Sequence, residues 1–206
     1  MKKTVSLIII SLLLLLIAGC AFGGNPAEKD PDTTVTLQKD GHVLQIIRES
    51  FGESNYDIGE LRNEIELELE DYNAQPNKSA ELKKAESENG VTDVEILFGT
   101  PDDYSLFNQE TLRVGEIGDF LLMPGSFPGG DGISISGLVN ARTGEVITED
   151  EINALSSEKI LVSDVSDRIY LPGKVLYISD NAYSSEGVAA VRRKEDAAGF
   201  IYIIFR

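Results

Sequence analysis

The sequence predicts an α+β fold: a single domain over residues 33–206, built of predominantly antiparallel sheet with one main helix near residues 57–73 and two short helices. Three observations predict it. Short apolar runs separated by turn residues fill the last third of the chain, one capped segment repeats its apolar residues at helical spacing, and a Gly-closed turn joins the first two apolar runs.

Thr33–Gln38 and His42–Glu49 are parted by Lys39-Asp40-Gly41, which reads as a β-hairpin. In 57–73, Asp57 stands as N-cap with Glu60 three places on, a capping box, and Ile58, Leu61, Ile65, Leu69 and Tyr72 fall on one face. Glu64 to Glu70 also alternates with period two, the strand template, but Glu disfavours strands, and the cap and the longer period favour helix. Residues 73–89 are polar and read as a connection, and Val91–Phe98 reads as a strand. Thr100 then caps a short helix that runs from Pro101 to about Asn108.

Thr111–Val114 and Phe120–Met123 are short apolar runs, and residues 124–132, with two Pro and four Gly, are a loop. Ile133–Asn140 and Glu145–Thr148 flank a turn at residues 141–144, and Thr148 with Glu151 predicts a second short helix over 149–155. Strands are expected at 159–165, 168–171, 174–179 after Pro172-Gly173, 187–193 and 199–206. In the last of these, Phe200-Ile201-Tyr202-Ile203-Ile204-Phe205 has no polar alternate set. It is expected to be an interior strand buried on both faces, between the sheet and a helix such as 57–73.

The chain has 206 residues with 35 acidic and 18 basic side chains, one His and one Cys. A single Cys excludes an internal disulfide and any multi-cysteine metal site. A net charge of -17 argues against nucleic acid, which needs a basic face to release counterions. No cofactor is implied, and the domain is expected to be a monomer.

Residues 1–19 differ from the rest. Lys2 and Lys3 precede the apolar run Leu7–Ile17, which has the length of a signal peptide and is short for a membrane span. The run closes on Ile17-Ala18-Gly19-Cys20, a large apolar residue, two small ones and then a cysteine, which resembles the lipobox of bacterial lipoproteins. Cleavage before Cys20 and a diacylglyceryl group on its thiol would anchor the chain to the outer face of the cytoplasmic membrane. Two acyl chains, at ~0.8 kcal/mol per buried methylene, hold where one lets go. Residues 20–32, polar and punctuated by Gly and Pro, read as a tether, whose twelve residues after Cys20 reach ~20 Å. The mature chain would carry 16 basic against 35 acidic groups, a net charge of -19, and such a domain is expected to hang off an anionic bilayer, held by its lipid.

The lipobox, the helix end Glu70-Asp71-Tyr72-Asn73, the stretch Ile96-Leu97-Phe98-Gly99-Thr100-Pro101-Asp102-Asp103-Tyr104-Ser105-Leu106-Phe107-Asn108 and the segment Leu171-Pro172-Gly173-Lys174-Val175-Leu176-Tyr177-Ile178-Ser179 resemble small lipoproteins of clostridial gut bacteria. The resemblance spans most of the mature chain. It implies surface localisation and an α+β domain, and it carries no activity with it.

Catalytic patterns are few. Ser156-Ser157-Glu158-Lys159, Ser179-Asp180-Asn181 and Arg142-Thr143-Gly144 approximate the three boxes of serine penicillin-binding enzymes. Their order is wrong, however, and only 23 residues part Ser156 from Ser179. His42, just after the hairpin turn, reads as a partly exposed strand residue. Glu60, Glu64 and Glu68, with Glu66, Glu70 and Asp71 beside them, read as a solvated face; a docking surface for a basic partner or a weak Ca²⁺ site is the sharper alternative. Asp102 and Asp103 read as first-turn acids complementing a helix dipole. Residues 124–132 around Phe127 read as a plain connection, with a ligand loop as the alternative. The sequence therefore points to a non-enzymatic binding or accessory domain of the envelope, with a small-ligand or cation binder and an envelope hydrolase as alternatives.

Overall fold

In the computed structural model, residues 33–50, 57–122, 137–184 and 189–206 are described. β1 (Thr34–Leu37) and β2 (Val43–Ser50) form the expected hairpin, with Gly41 at the turn in the left-handed region (φ +90°). α1 (Ile58–Asn73) begins at Asp57, whose Oδ1 accepts the Gly59 N–H at 2.7 Å, one residue before the Glu60 position that the capping box predicts. Ile65, Leu69 and Tyr72 are buried, and Ile58 and Leu61 pack against the same core. The rival strand pattern fails because Leu67 is 64% exposed: alternation in the sequence does not become alternation in burial.

Residues 73–89 are a correction. They contain β3 (Ala80–Glu88), paired antiparallel along its length with β4 (Val91–Phe98) through Asn89-Gly90. Both turn residues have positive φ, +53° and +78°, as a two-residue hairpin turn requires. β3 looks like a loop because it is an edge strand, and edges are kept charged to resist further pairing.

α2 (Pro101–Asn108) is capped by Thr100 as predicted, and β5 (Leu112–Glu116) follows. The apolar run from Phe120 belongs to α3 (Ile117–Leu122), a short helix where none is expected. β6 (Leu138–Asn140) falls within the predicted 133–140 strand, of which residues 133–136 lie outside the described residues, and the predicted partner at 145–148 makes only a single bridge, Val139 to Val146. Thr148 and Glu151 form a complete capping box at the start of α4 (Glu149–Ala154). With α3, the described residues hold three short helices, one more than predicted.

The remaining strands are β7 (Lys159–Ser163), β8 (Arg168–Tyr170), β9 (Val175–Ser179), β10 (Ala182–Ser184), β11 (Ala190–Arg193) and β12 (Ile201–Phe205), of which only β10 lies outside the predicted spans. They complete two sheets. The first has the order β10-β11-β8-β1-β2-β4-β3, antiparallel except where β1 runs parallel to β8. The second has the order β5-β7-β12-β9-β6 and is wholly antiparallel. The described residues belong to one compact unit, Pro31–Arg206.

β12 is an interior strand, as its composition predicts. Ile201, Ile203 and Phe205 enter a core shared by both sheets, α1 and α2, while Ile204 enters a second core with Ile117, Phe120, Ile152 and Ile160. The helices over that second face are therefore α3 and α4 rather than 57–73. Pro172-Gly173 lets the chain pass close to Arg206: a Cβ on Gly173 would lie 2.0 Å from the Arg206 carbonyl oxygen, and Lys174 and Arg206 exchange backbone hydrogen bonds of 2.7 and 3.1 Å.

Candidate functional site

Cys20 and the 124–132 loop lie outside the described residues. His42 stands partly exposed at the start of β2, with its N–H and its Nδ1 each 3.1 Å from Asp40 Oδ1. These contacts hold the Asp40 carboxyl below the usual carboxylate range, and they make the pair a staple of the hairpin turn.

The three boxes serve the backbone. Ser179 Oγ donates to Asn181 Oδ1 at 2.6 Å and accepts the Tyr202 N–H at 3.0 Å, tying the β9–β10 turn to β12. In Arg142-Thr143-Gly144, the Arg142 and Thr143 N–H groups both donate to Asn140 Oδ1, at 3.0 and 3.1 Å. Ser156 lends its carbonyl to the Gly118 N–H, and Lys159 pairs with Glu116 at 3.1 Å.

On α1, Glu60, Glu64, Glu66, Glu70 and Asp71 are exposed, while Glu68 is half-buried and its Oε1 has no hydrogen-bond partner among the described residues. Burial, and then the charge of Glu64, push the Glu68 carboxyl up to about 7. The lone basic residue of the helix, Arg62, donates to the Ala85 carbonyl at 2.8 Å and so clips α1 to the edge strand β3. Beside that clip lies an open groove of about 420 Å³, lined by Ile58, Gly59, Arg62 and residues 85–88.

Asp102 is exposed, 3.6 Å from Arg113, as a first-turn acid should be. Asp103 is different: it is only 3% exposed, with Oδ2 accepting from Thr100 Oγ1 at 2.9 Å and Oδ1 accepting from the Tyr72 hydroxyl at 2.9 Å, and with Lys78 Nζ 3.8 Å away. Its place three residues after the capping Thr100 is the sequence signal for the first contact; nothing local signals the second.

A further carboxylate, Glu110, escapes the sequence reading altogether. The Tyr104 hydroxyl, wholly buried, donates to Glu110 Oε2 at 2.6 Å. Burial lifts the Glu110 carboxyl above its ordinary range and the charges of Asp167 and Asp164 add to this, while the Tyr104 hydrogen bond and Arg193 act the other way. Asp164 Oδ1 accepts the Thr111 N–H at 2.6 Å, and the Arg193 guanidinium donates to the carbonyls of Asp164 and Gly199. The groups thus brace α2, β5 and β11 against one another.

Among the described residues, no three His, Cys, Asp or Glu side chains are grouped to hold a metal ion, and no helix is long and apolar enough to cross a membrane. Compared with known proteins, the chain matches no family model, no curated protein and no solved structure.

Proposed function

We propose that this chain is a lipid-anchored protein of the outer face of the cytoplasmic membrane, whose α+β domain is a non-enzymatic binding or accessory module of the cell envelope. The observation that carries the reading is Ile17-Ala18-Gly19-Cys20 directly after the apolar run Leu7–Ile17, with the sole cysteine of the chain at the modified position. Two acyl chains on that thiol supply stable attachment without a spanning helix.

The non-enzymatic part is supported by how the polar side chains of the domain are used. Asp103, Ser179 and Asp40 each satisfy backbone or helix-end groups, and Glu110 accepts from the buried Tyr104 hydroxyl, so their partners are groups of the fold itself. An envelope protein partner with a basic surface suits the exposed acids of α1. A small-ligand reading has the α1–β3 groove in its favour, since about 420 Å³ lies within the size range of ligand pockets. A rise in melting temperature with one compound would select that reading.

Detergent phase partitioning tests the anchor. Wild type is expected in the detergent phase and processed, and Cys20→Ser in the aqueous phase with its leader uncleaved. A Cys20→Ser chain that partitions and is processed like wild type removes the lipoprotein reading.

A further inference from the structure

β3 is an edge of the first sheet, and an edge strand carries a row of backbone N–H and C=O groups with no ladder partner. α1 lies antiparallel beside that row and covers two points of it. The Asn73 side-chain amide donates to the Ala80 carbonyl and accepts the Ala80 N–H, both at 2.8 Å, as a neighbouring strand would. Arg62 Nη2 donates to the Ala85 carbonyl, and past it the cover ends. The Asn89-Gly90 turn makes Glu88 and Val91 the closing pair of the hairpin, so alternation points the N–H and C=O of Ser87 away from β4, on the same side as the Ala85 carbonyl. Among the described residues, no group outside the β3–β4 ladder bonds the Ser87 backbone. It opens on the groove of about 420 Å³ between β3 and the first turns of α1.

The side chains around the groove decide what fits. Ala85 is buried in the core, so Ser87 shares the core-facing side of β3, where Ile58 packs, and Glu86 and Glu88 point to the opposite face, both exposed. A residue added opposite Ser87 would send its side chain toward Ile58, while its two neighbours would stand beside Glu86 and Glu88. Glu86 shares Lys84 with Asp93, and Glu88 has no ion pair among the described residues. Asp57 and Glu60, both exposed at the start of α1, add to the negative rim. Like charges side by side oppose pairing, so these acids turn away acidic strands, a second copy of β3 included, and favour a basic one.

We propose that the α1–β3 groove takes an extended segment of a protein partner as an added strand on β3, with an apolar residue opposite Ser87 and a Lys or Arg on either side of it, an inference that rests on the binding-module reading above. Backbone bonds to Ser87 supply the attachment, and the alternating side chains supply the choice of partner. The charge that protects the edge from unwanted pairing thus becomes the means of selecting one pairing.

The test uses the full-length lipidated chain in a nonionic detergent and a capped, fluorescent Lys-Val-Lys-Val-Lys peptide, with binding read by anisotropy and backbone pairing by amide hydrogen exchange. Binding is expected, with slowed exchange at the Ser87 amide. Methylating the two Val nitrogens keeps the charge and removes the donors, and it should weaken binding on the order of tenfold. Glu86→Gln together with Glu88→Gln should weaken it about fivefold, as the loss of two cross-strand charge pairs predicts, and a Glu-Val-Glu-Val-Glu peptide should not bind. Equal binding of the methylated peptide, or unchanged exchange at Ser87, overturns strand addition and leaves a basic partner held by the exposed acids of α1. A basic peptide that does not bind at all overturns strand addition and the basic-partner reading together. Neither outcome bears on the anchor, which phase partitioning reads separately.

Discussion

The phenol of Tyr72 donates a 2.9 Å hydrogen bond to Oδ1 of Asp103, joining the last turn of α1 to the first turn of α2. Three aromatic rings pack around this bridge: Tyr72 meets Phe107 edge-on at 5.5 Å, and Phe107 lies 5.5 Å from Phe98. Burial and the neighbouring carboxylate raise the phenol's pKa, so it stays a donor across the physiological range.

Tyr72→Phe keeps the ring and removes only the donor. Asp103 is then left buried with one oxygen deprived of its close partner, and a loss of about 1–3 kcal/mol is expected. Urea unfolding checks it: the midpoint should fall with an unchanged slope. An unchanged midpoint would mean that Lys78, 3.8 Å from the same oxygen, suffices.

Glu68 makes the domain less stable as pH rises. Its carboxyl moves from 4.5 in the unfolded chain to about 7 in the folded one, so the folded state holds the proton more tightly. Stability from this group is full below 4.5 and is lost as pH rises through 7, the reverse of an ion-paired carboxylate. Because the side chain is half exposed, screening reduces the effect to an estimated ~1 kcal/mol. Glu68→Gln should therefore be more stable than wild type at pH 8 by about that amount and equal to it near pH 4. A Gln variant less stable at pH 8 would contradict the desolvation account.

Whether a strand could be read from the sequence depended on where it lay in its sheet. β12 and β4 are flanked on both sides, and their apolar runs announce them. β3 has one free side, and in Ala80-Glu81-Leu82-Lys83-Lys84-Ala85-Glu86 a bulge between Leu82 and Lys84 also breaks the period of two. The readable signal was Asn89-Gly90, the commonest two-residue hairpin pair, set inside a stretch whose polarity hid it. The bridges were less legible still. Tyr72 and Asp103 are 31 residues apart, and no spacing rule reaches between helices. Capping, by contrast, depends on neighbours in the chain, and Thr100 and Thr148 cap where predicted.

Gly90 is the point on which the β3–β4 hairpin turns. At φ +78° an L side chain is strained, so Gly90→Ala should cost about 1 kcal/mol, while Asn89→Gly should be nearly neutral because it is the more permissive residue. Thermal melts of the two variants side by side provide the check. Equal destabilisation by both would show that the Asn89 side chain, and not the backbone sign, holds the turn.

Removal of residues 200–206 tests the centre of the second sheet. β12 pairs with β7 along five residues and with β9 on its other side, so its loss strips the ladder partners from both. It also takes a wall from each core, since Ile203 faces the one shared with α1 and α2 while Ile204 faces the one under α3 and α4. Truncation after Gly199 should therefore give an unfolded product with no cooperative melt. Point variants separate the two cores: Ile203→Ala and Ile204→Ala should each cost about 2–5 kcal/mol, because either leaves a cavity in a fully buried site. Docking of β12 onto a separate folded domain predicts the reverse, a truncated chain that stays monomeric and melts cooperatively, with near-neutral alanine variants. That outcome would make the gap between β7 and β9 a groove open to strand addition by a partner.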